Sequence, residues 1–390
     1  MNQRCTQALR VARTAHLRPE RELVEHGRWV TLGDPQTRLE RFFALLDHHE
    51  LLGDDGFLKP DVGLVSMGDH FDYELPDESA EAVQQAQHHG VQLLSWLARH
   101  DPRQVVLLLG NHDICRVAEL AFESDESFAE ARIQALAATA DGAVHARWTH
   151  LHIPNPDIAR RDFSAFSVAQ RALVQRLLLE KRIQLAATAM LWGRRVLLTH
   201  AAVTTREVEL LCVEPDAETL CNALNALLCS RIETVRSCWE EGVSAVLDLG
   251  PVHMMGITGQ EGGGLLYHRP SNPEHIDGSK WAKNSERPRR FDPRTLPAGL
   301  TQICAHTTHK KCVKELGDWV AEGFKRPEGR PRCLRSRGEQ VQYSPVLDDW
   351  SEEDAALFMV DADMHRVEPA DIELLEIEMP VPLGLSRFGL

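Results

Sequence analysis

The chain has 390 residues, 43% hydrophobic and 26% charged: enough to bury a large core, either as one α/β domain or as a core with an inserted lobe, and too apolar for global disorder. Acidic residues outnumber basic ones by 58 to 43 for a formal charge of −15, which disfavours broad nucleic-acid binding and leaves room only for a local basic site. No apolar run approaches the ~18 residues of a membrane span, Met1–Arg13 has no secretory signal, and the nine cysteines form no CxxC, so a cytoplasmic chain with free thiols is expected.

Residues 1–27 are polar and read as a peripheral arm or helix. Trp29–Leu32 is a short apolar run that stops at Gly33-Asp34, and Leu39, Phe42, Phe43 and Leu46 then mark one face of a helix. Val62–Met67 stops at Gly68-Asp69, residues 78–100 read as a helix, and Val105–Leu109 stops at Gly110-Asn111. The stretch 115–191, rich in Ala, Leu, Glu and Arg, reads as a helical insertion over the site within a domain spanning 28–390. Val196–Leu198 leads into Thr199-His200, residues 204–247 are again helical, and Leu300–Ala305 leads into His306. The later runs Ala356–Val360 and Ile372–Ile377 read as strands that end without a ligand. Two basic stretches, Lys280–Arg294 and Lys325–Arg337, are interrupted by Pro and Gly and read as exposed loops; the pairs His48-His49 and His88-His89 read as solvated.

The recurring unit is an apolar strand with a polar residue at its carboxyl end. Open α/β sheets bind ligands at the carboxyl ends of their strands, so Asp34, Asp69, Asn111, His112, His200 and His306 should gather on one rim. Carboxylate, amide oxygen and imidazole without thiolate are a donor set for Mn²⁺, Fe or Zn²⁺ and argue against a closed structural zinc site. Each of Asp34, Asp69 and Asn111, taken alone, is better explained as a turn or helix cap; the ordered series with His200 and His306 favours metal ligation.

The segments Gly33-Asp34-Pro35-Gln36, Gly68-Asp69-His70-Phe71-Asp72, Gly110-Asn111-His112-Asp113, Thr199-His200-Ala201 and Ala305-His306-Thr307-Thr308-His309 resemble the motif series of the calcineurin-like metallophosphoesterase superfamily. The nearest likeness is to bacterial relatives of the phosphoprotein phosphatases, with Leu265-Leu266-Tyr267-His268-Arg269 similar to their aromatic-x-Arg segment and Phe358–Met364 to their late strand and turn. The resemblance implies a four-layer sandwich of two mixed sheets flanked by helices, and a dinuclear site of divalent or trivalent ions, Mn²⁺ first and Fe or Zn²⁺ next. It implies that Asp34 and Asp69 bind the first ion with Asp69 bridging, and that Asn111, His200 and His306 complete the second. His112 would protonate the leaving oxygen, Asp72 would hold its ring, and Arg269 would clamp the phosphate. The reaction implied is hydrolysis of a phosphate ester by metal-activated hydroxide, on a phosphorylated small molecule or phosphoprotein, without a phosphoenzyme.

Three positions depart from the pattern. Gln36 stands where the family carries a histidine ligand, and its amide oxygen is the weaker donor. His309 lies three positions after His306 where many members have two, so it is a candidate ligand of the first ion, a substrate contact or a surface histidine. Tyr73 replaces the arginine of eukaryotic protein phosphatases, which weakens a specific phosphoserine or phosphothreonine reading. A phosphodiesterase or nuclease of the same fold, and a non-catalytic scaffold with a degraded site, are the competing readings.

Overall fold

The structure is a computed structural model that describes residues 2–14, 17–19, 27–73, 75, 79–141, 165–255, 262–276, 289–322, 328–345 and 351–379, for 134–141 the backbone alone. The strands in chain order are β1 (Arg28–Leu32), β2 (Val62–Ser66), β3 (Val105–Leu108), β4 (Ile183–Gln184), β5 (Ala186–Leu191), β6 (Arg194–Thr199), β7 (His253–Met254), β8 (Gly263–Gly264), β9 (Arg269–Pro270), β10 (Arg290–Phe291), β11 (Thr301–Cys304), β12 (Arg332–Arg337), β13 (Gln340–Ser344), β14 (Ala355–Met359) and β15 (Leu375–Ile377). One mixed sheet has the order β15-β1-β2-β3-β4, parallel except for β15. The other has the order β13-β12-β14-β11-β6-β5, with β14, β11 and β6 parallel and its remaining pairs antiparallel. Two short ribbons, β7 with β8 and β9 with β10, lie outside them.

Strand periodicity builds the layers. Side chains alternate across a strand, so an apolar strand buried on both faces supplies two cores. Val106 and Leu108 of β3 pack with Val196 and Leu198 of β6 and Phe358 of β14 in a cluster between the sheets. Val105 and Leu107, one residue out of phase, face a second cluster with the helices Leu39–His48, Ala80–Ala98 and Val168–Leu179. There Phe42, Phe43 and Trp96 meet edge to face at 5.1–5.8 Å, a contact worth about 0.5–1.5 kcal/mol per pair beyond burial. In β14, Leu357 and Met359 face away from Phe358 and pack with Cys312 and Leu316 of the helix His309–Leu316. The result is two mixed sheets face to face, flanked by helices. Among the described residues no helix is long and apolar enough to cross a membrane.

Four expectations change. The N-terminal segment includes a helix, Gln3–Ala12, one of the two forms expected of it, but that helix is not peripheral, because it buries Cys5, Ala8, Leu9 and Val11 in the main core. The stretch 115–191 is not all insertion: Leu173, Val174, Leu177 and Leu178 pack in the core and β4 and β5 belong to the sheets, while 142–164 lies outside the described residues. The second basic stretch contains β12, a paired strand whose Arg332 is 1% exposed, because its guanidinium reaches the carbonyls of Thr307 and Asp361. His89 is buried against the Tyr73 hydroxyl, 3.1 Å from its Nδ1, because helix Ala80–Ala98 turns that face inward. Of the first basic stretch, 277–288 lies outside the described residues.

Candidate metal centre

The parallel strands decide where the polar residues meet. β1, β2 and β3 run in one direction, so Asp34, Asp69 and Asn111 emerge from one edge of the first sheet. β6 and β11 do the same for His200 and His306 in the second. The two edges are tied together by the His306 N–H, which donates to Asp34 Oδ1 at 3.1 Å, while within the second edge the Ala305 N–H donates to the His200 carbonyl at 2.9 Å.

The turns carry unusual backbone. Asp69, Asp72 and His306 have φ of 60°, 61° and 62°, a region that side chains other than glycine adopt at a cost and that concentrates at functional sites. Gly110 is required by contact, because a Cβ there would stand 2.1 Å from Asp69 Oδ1. The buried Asp113 carboxylate holds these turns: it accepts from the N–H groups of Asp69, His70 and Gly110 at 2.9–3.1 Å and lies 3.0 Å from His70 Nδ1. That clasp joins the end of β2 to the end of β3 and aims Asp69 and Asn111 into one space.

In that space donor atoms converge. His200 Nε2 lies 3.1 Å from Asn111 Oδ1, 3.2 Å from His306 Nδ1 and 3.4 Å from Asp69 Oδ2. His200 Nδ1 faces the Met67 carbonyl at 2.8 Å. A carbonyl only accepts, so Nδ1 carries the proton and Nε2 presents its lone pair to the cluster. Burial, then Arg269 and His200, hold the His306 imidazole well below its usual pKa, so it too offers a lone pair. Bonds of about 2.0–2.2 Å around one cation set neighbouring donors roughly 3.0–3.5 Å apart, and these separations fit. Asp69, His200 and His306, all buried, can hold a metal ion, with Asn111 Oδ1 adjacent.

The other named residues surround this group. Asp34 is 8% exposed, and burial, then the carboxylates of Asp361 and Asp69, push its carboxyl well above the usual range. Gln36 is half-buried nearby in sequence, and its Nε2 has no partner among the described residues. His112 sits at the mouth with 11% of its side chain exposed; its N–H donates to Asp69 Oδ1 at 2.8 Å and its Nε2 is 3.9 Å from Asp69 Oδ2. His112 Nδ1 lies 3.0 Å from Asp72 Oδ2. Burial works to raise the Asp72 pKa, but the Arg116 guanidinium 2.5 Å away and the His112 bond hold it below the ordinary carboxylate range. Arg269 is half-buried on β9, within electrostatic reach of His306 and Glu315. Tyr267, two residues before it, sets its ring edge-on to His306 at 6.3 Å and donates to Glu119 at 3.2 Å.

His309 stands with a different set. Its Nδ1 is 2.8 Å from the Tyr343 hydroxyl, its ring stacks on Tyr343, and burial, then Arg332, lower its pKa to about 4. It opens the helix His309–Leu316 with its ring against Tyr343 of β13, and it is not among the three residues, Asp69, His200 and His306, whose donor atoms converge.

Sequence reasoning missed Arg116 and Asp361. Arg116 follows the Asn111–Ile114 turn by one helical step and is fully buried, donating also to the His112 carbonyl at 2.7 Å. Nothing in its local sequence distinguishes it from a surface arginine. Asp361 had a signal: it ends the apolar run of β14, as Asp34 ends that of β1, and its backbone touches the turn at Gly33. The chain matches no known family model, and no curated protein matches its sequence.

Proposed function

We propose that this chain is a metal-dependent phosphoesterase, most simply a phosphomonoesterase, acting on a phosphorylated small molecule or phosphoprotein. The observation that carries the reading is the meeting of lone pairs from His200, His306, Asn111 and Asp69 beside His112, whose other ring nitrogen is held by Asp72. Asp69, Asn111, His200 and His306 would hold one ion, and Asp34 and Gln36, with Asp69 shared, a second. When bound, the ions would lower the pKa of water and offset phosphoryl charge. Arg269 binds the phosphate edge through its guanidinium, and the Tyr267 ring orients that segment against His306. Asp72, kept ionised by Arg116, fixes the His112 ring so that Nε2 delivers a proton to the departing oxygen. The burial of the whole group limits water around the transferred proton.

The test is elemental analysis of the purified chain together with hydrolysis of p-nitrophenyl phosphate and its bis ester under Mn²⁺, Fe²⁺, Zn²⁺ and Mg²⁺. Bound metal and faster turnover of the monoester are expected. Faster turnover of the diester would move the assignment to a phosphodiesterase, and a metal-loaded chain without turnover on either ester would refute the enzymatic reading.

A further inference from the structure

A cavity of about 520 Å³ opens far from the metal centre, with Arg18, Arg99, Arg176, Arg182, Asp101 and Glu180 in its wall. Asp101 precedes β3 and Arg182 precedes β4, whereas Asn111 follows β3. The cavity therefore lies at the amino ends of β3 and β4, and the carboxyl end of β3 carries the candidate ligand Asn111, roughly 15–20 Å away at ~3.3 Å per residue.

The wall carries an excess of positive charge. Arg99 is 8% exposed; its Nη1 donates to the carbonyls of Val11, Thr14 and Leu17 at 2.7–3.1 Å and its Nε to Ser95. Its Nη2 is buried with no partner among the described residues. The carbonyls bring only partial charge, and burying a guanidinium without a counter-anion is costly. Of the two acids, Asp101 is bonded through both oxygens by Arg103 and Glu180 is exposed; both act electrostatically on Arg182, and neither is among the charges that shift Arg99. Burial, then the neighbouring Arg18 charge, lower the Arg99 pKa to about 10. Arg182 spends its Nη2 on the carbonyls of Ala98 and His100, while Arg18 and Arg176 are exposed at the mouth.

We propose that this cavity is a second, non-catalytic anion site that takes the phosphoryl group of a small phosphorylated metabolite. Guanidinium edges match phosphoryl oxygens, the orphaned Arg99 Nη2 gains an acceptor, and the volume falls in the range of ligand pockets, about 300–1,000 Å³. The inference is independent of the phosphoesterase reading, since it uses none of the residues of the metal centre.

The test is equilibrium dialysis of the full chain against inorganic phosphate and against AMP. It is run in an Asp69→Asn background, which cripples the metal centre, and in the same background with Arg18→Ser and Arg176→Ser. Both arginines are exposed, and circular dichroism checks that the fold is kept. One bound equivalent is expected, AMP tighter than phosphate, with affinity falling at least about tenfold in the arginine variant. If Asp69→Asn does not fold, the wild-type chain is compared with Arg18→Ser/Arg176→Ser, and one bound equivalent should disappear. Absence of binding, binding indifferent to the two arginines, or phosphate binding as tightly as AMP would each overturn the proposal.

Discussion

Replacing Arg116 by Met should strike the fold and the candidate acid together. Arg116 and Asp72 both have 0% side-chain exposure, and Nη1 lies 2.5 Å from Oδ2. Met keeps most of the apolar stem, so the main loss is electrostatic. Among the described residues, the Asp72 carboxylate would keep the His112 ring and the Ala165 N–H, at 3.0 Å each. Breaking a buried pair from one side costs about 3–5 kcal/mol. The lost bond to the His112 carbonyl and the lost contact over the Phe71 ring at 4.7 Å add to this, for a total of about 4–6 kcal/mol. Urea unfolding followed by tryptophan fluorescence measures it. Asp72 has a depressed pKa in the fold, so its contribution is present above about pH 4 and is lost as pH falls through the folded value. The gap between wild type and variant should therefore be widest near neutrality and narrow below about pH 4. Adding Asp72→Asn removes the orphaned charge and should restore roughly 3 kcal/mol. A cost under about 1 kcal/mol, or a double variant no more stable than the single, would refute the claim that this ion pair is needed.

Three further outcomes are expected. His112→Ala should lower turnover by about 10²–10⁴ on an alkyl phosphate and far less on p-nitrophenyl phosphate, whose leaving group needs no proton; equal losses on both would remove His112 from the acid role. Metal at one hundred times its Kd should stabilise the wild-type chain by about 2.7 kcal/mol, seen as a rise in Tm, while Asp69→Asn should show little response and little metal by elemental analysis. Gln36→His, which introduces an imidazole beside Asp34, should raise the retained metal toward two equivalents after dialysis; an unchanged content would place Gln36 outside the metal shell.

Much of the frame is legible along the chain because strands buried on both faces are local apolar runs. Trp29–Leu32, Val62–Met67, Val105–Leu109 and Leu300–Ala305 lie within a residue or so of β1, β2, β3 and β11. The glycines and polar residues that stop these runs are also local, so Asp69, Asn111, His200 and His306 could be named together from order alone. β12 was hidden because its sequence, Arg-Cys-Leu-Arg-Ser-Arg, reads as a charged loop until the carbonyls of Thr307 and Asp361 receive Arg332.

What the linear order determined was therefore the donors and the strands that carry them, since both follow from residue type and spacing over a few positions. Tertiary structure alone decided that His309 turns to Tyr343, that Arg116 neutralises Asp72, and that Asp361 comes beside Asp34 from a strand more than three hundred residues away. Those outcomes depend on which buried charge finds which partner across two sheets, and the cost of leaving one unpaired is settled only when distant segments are packed together.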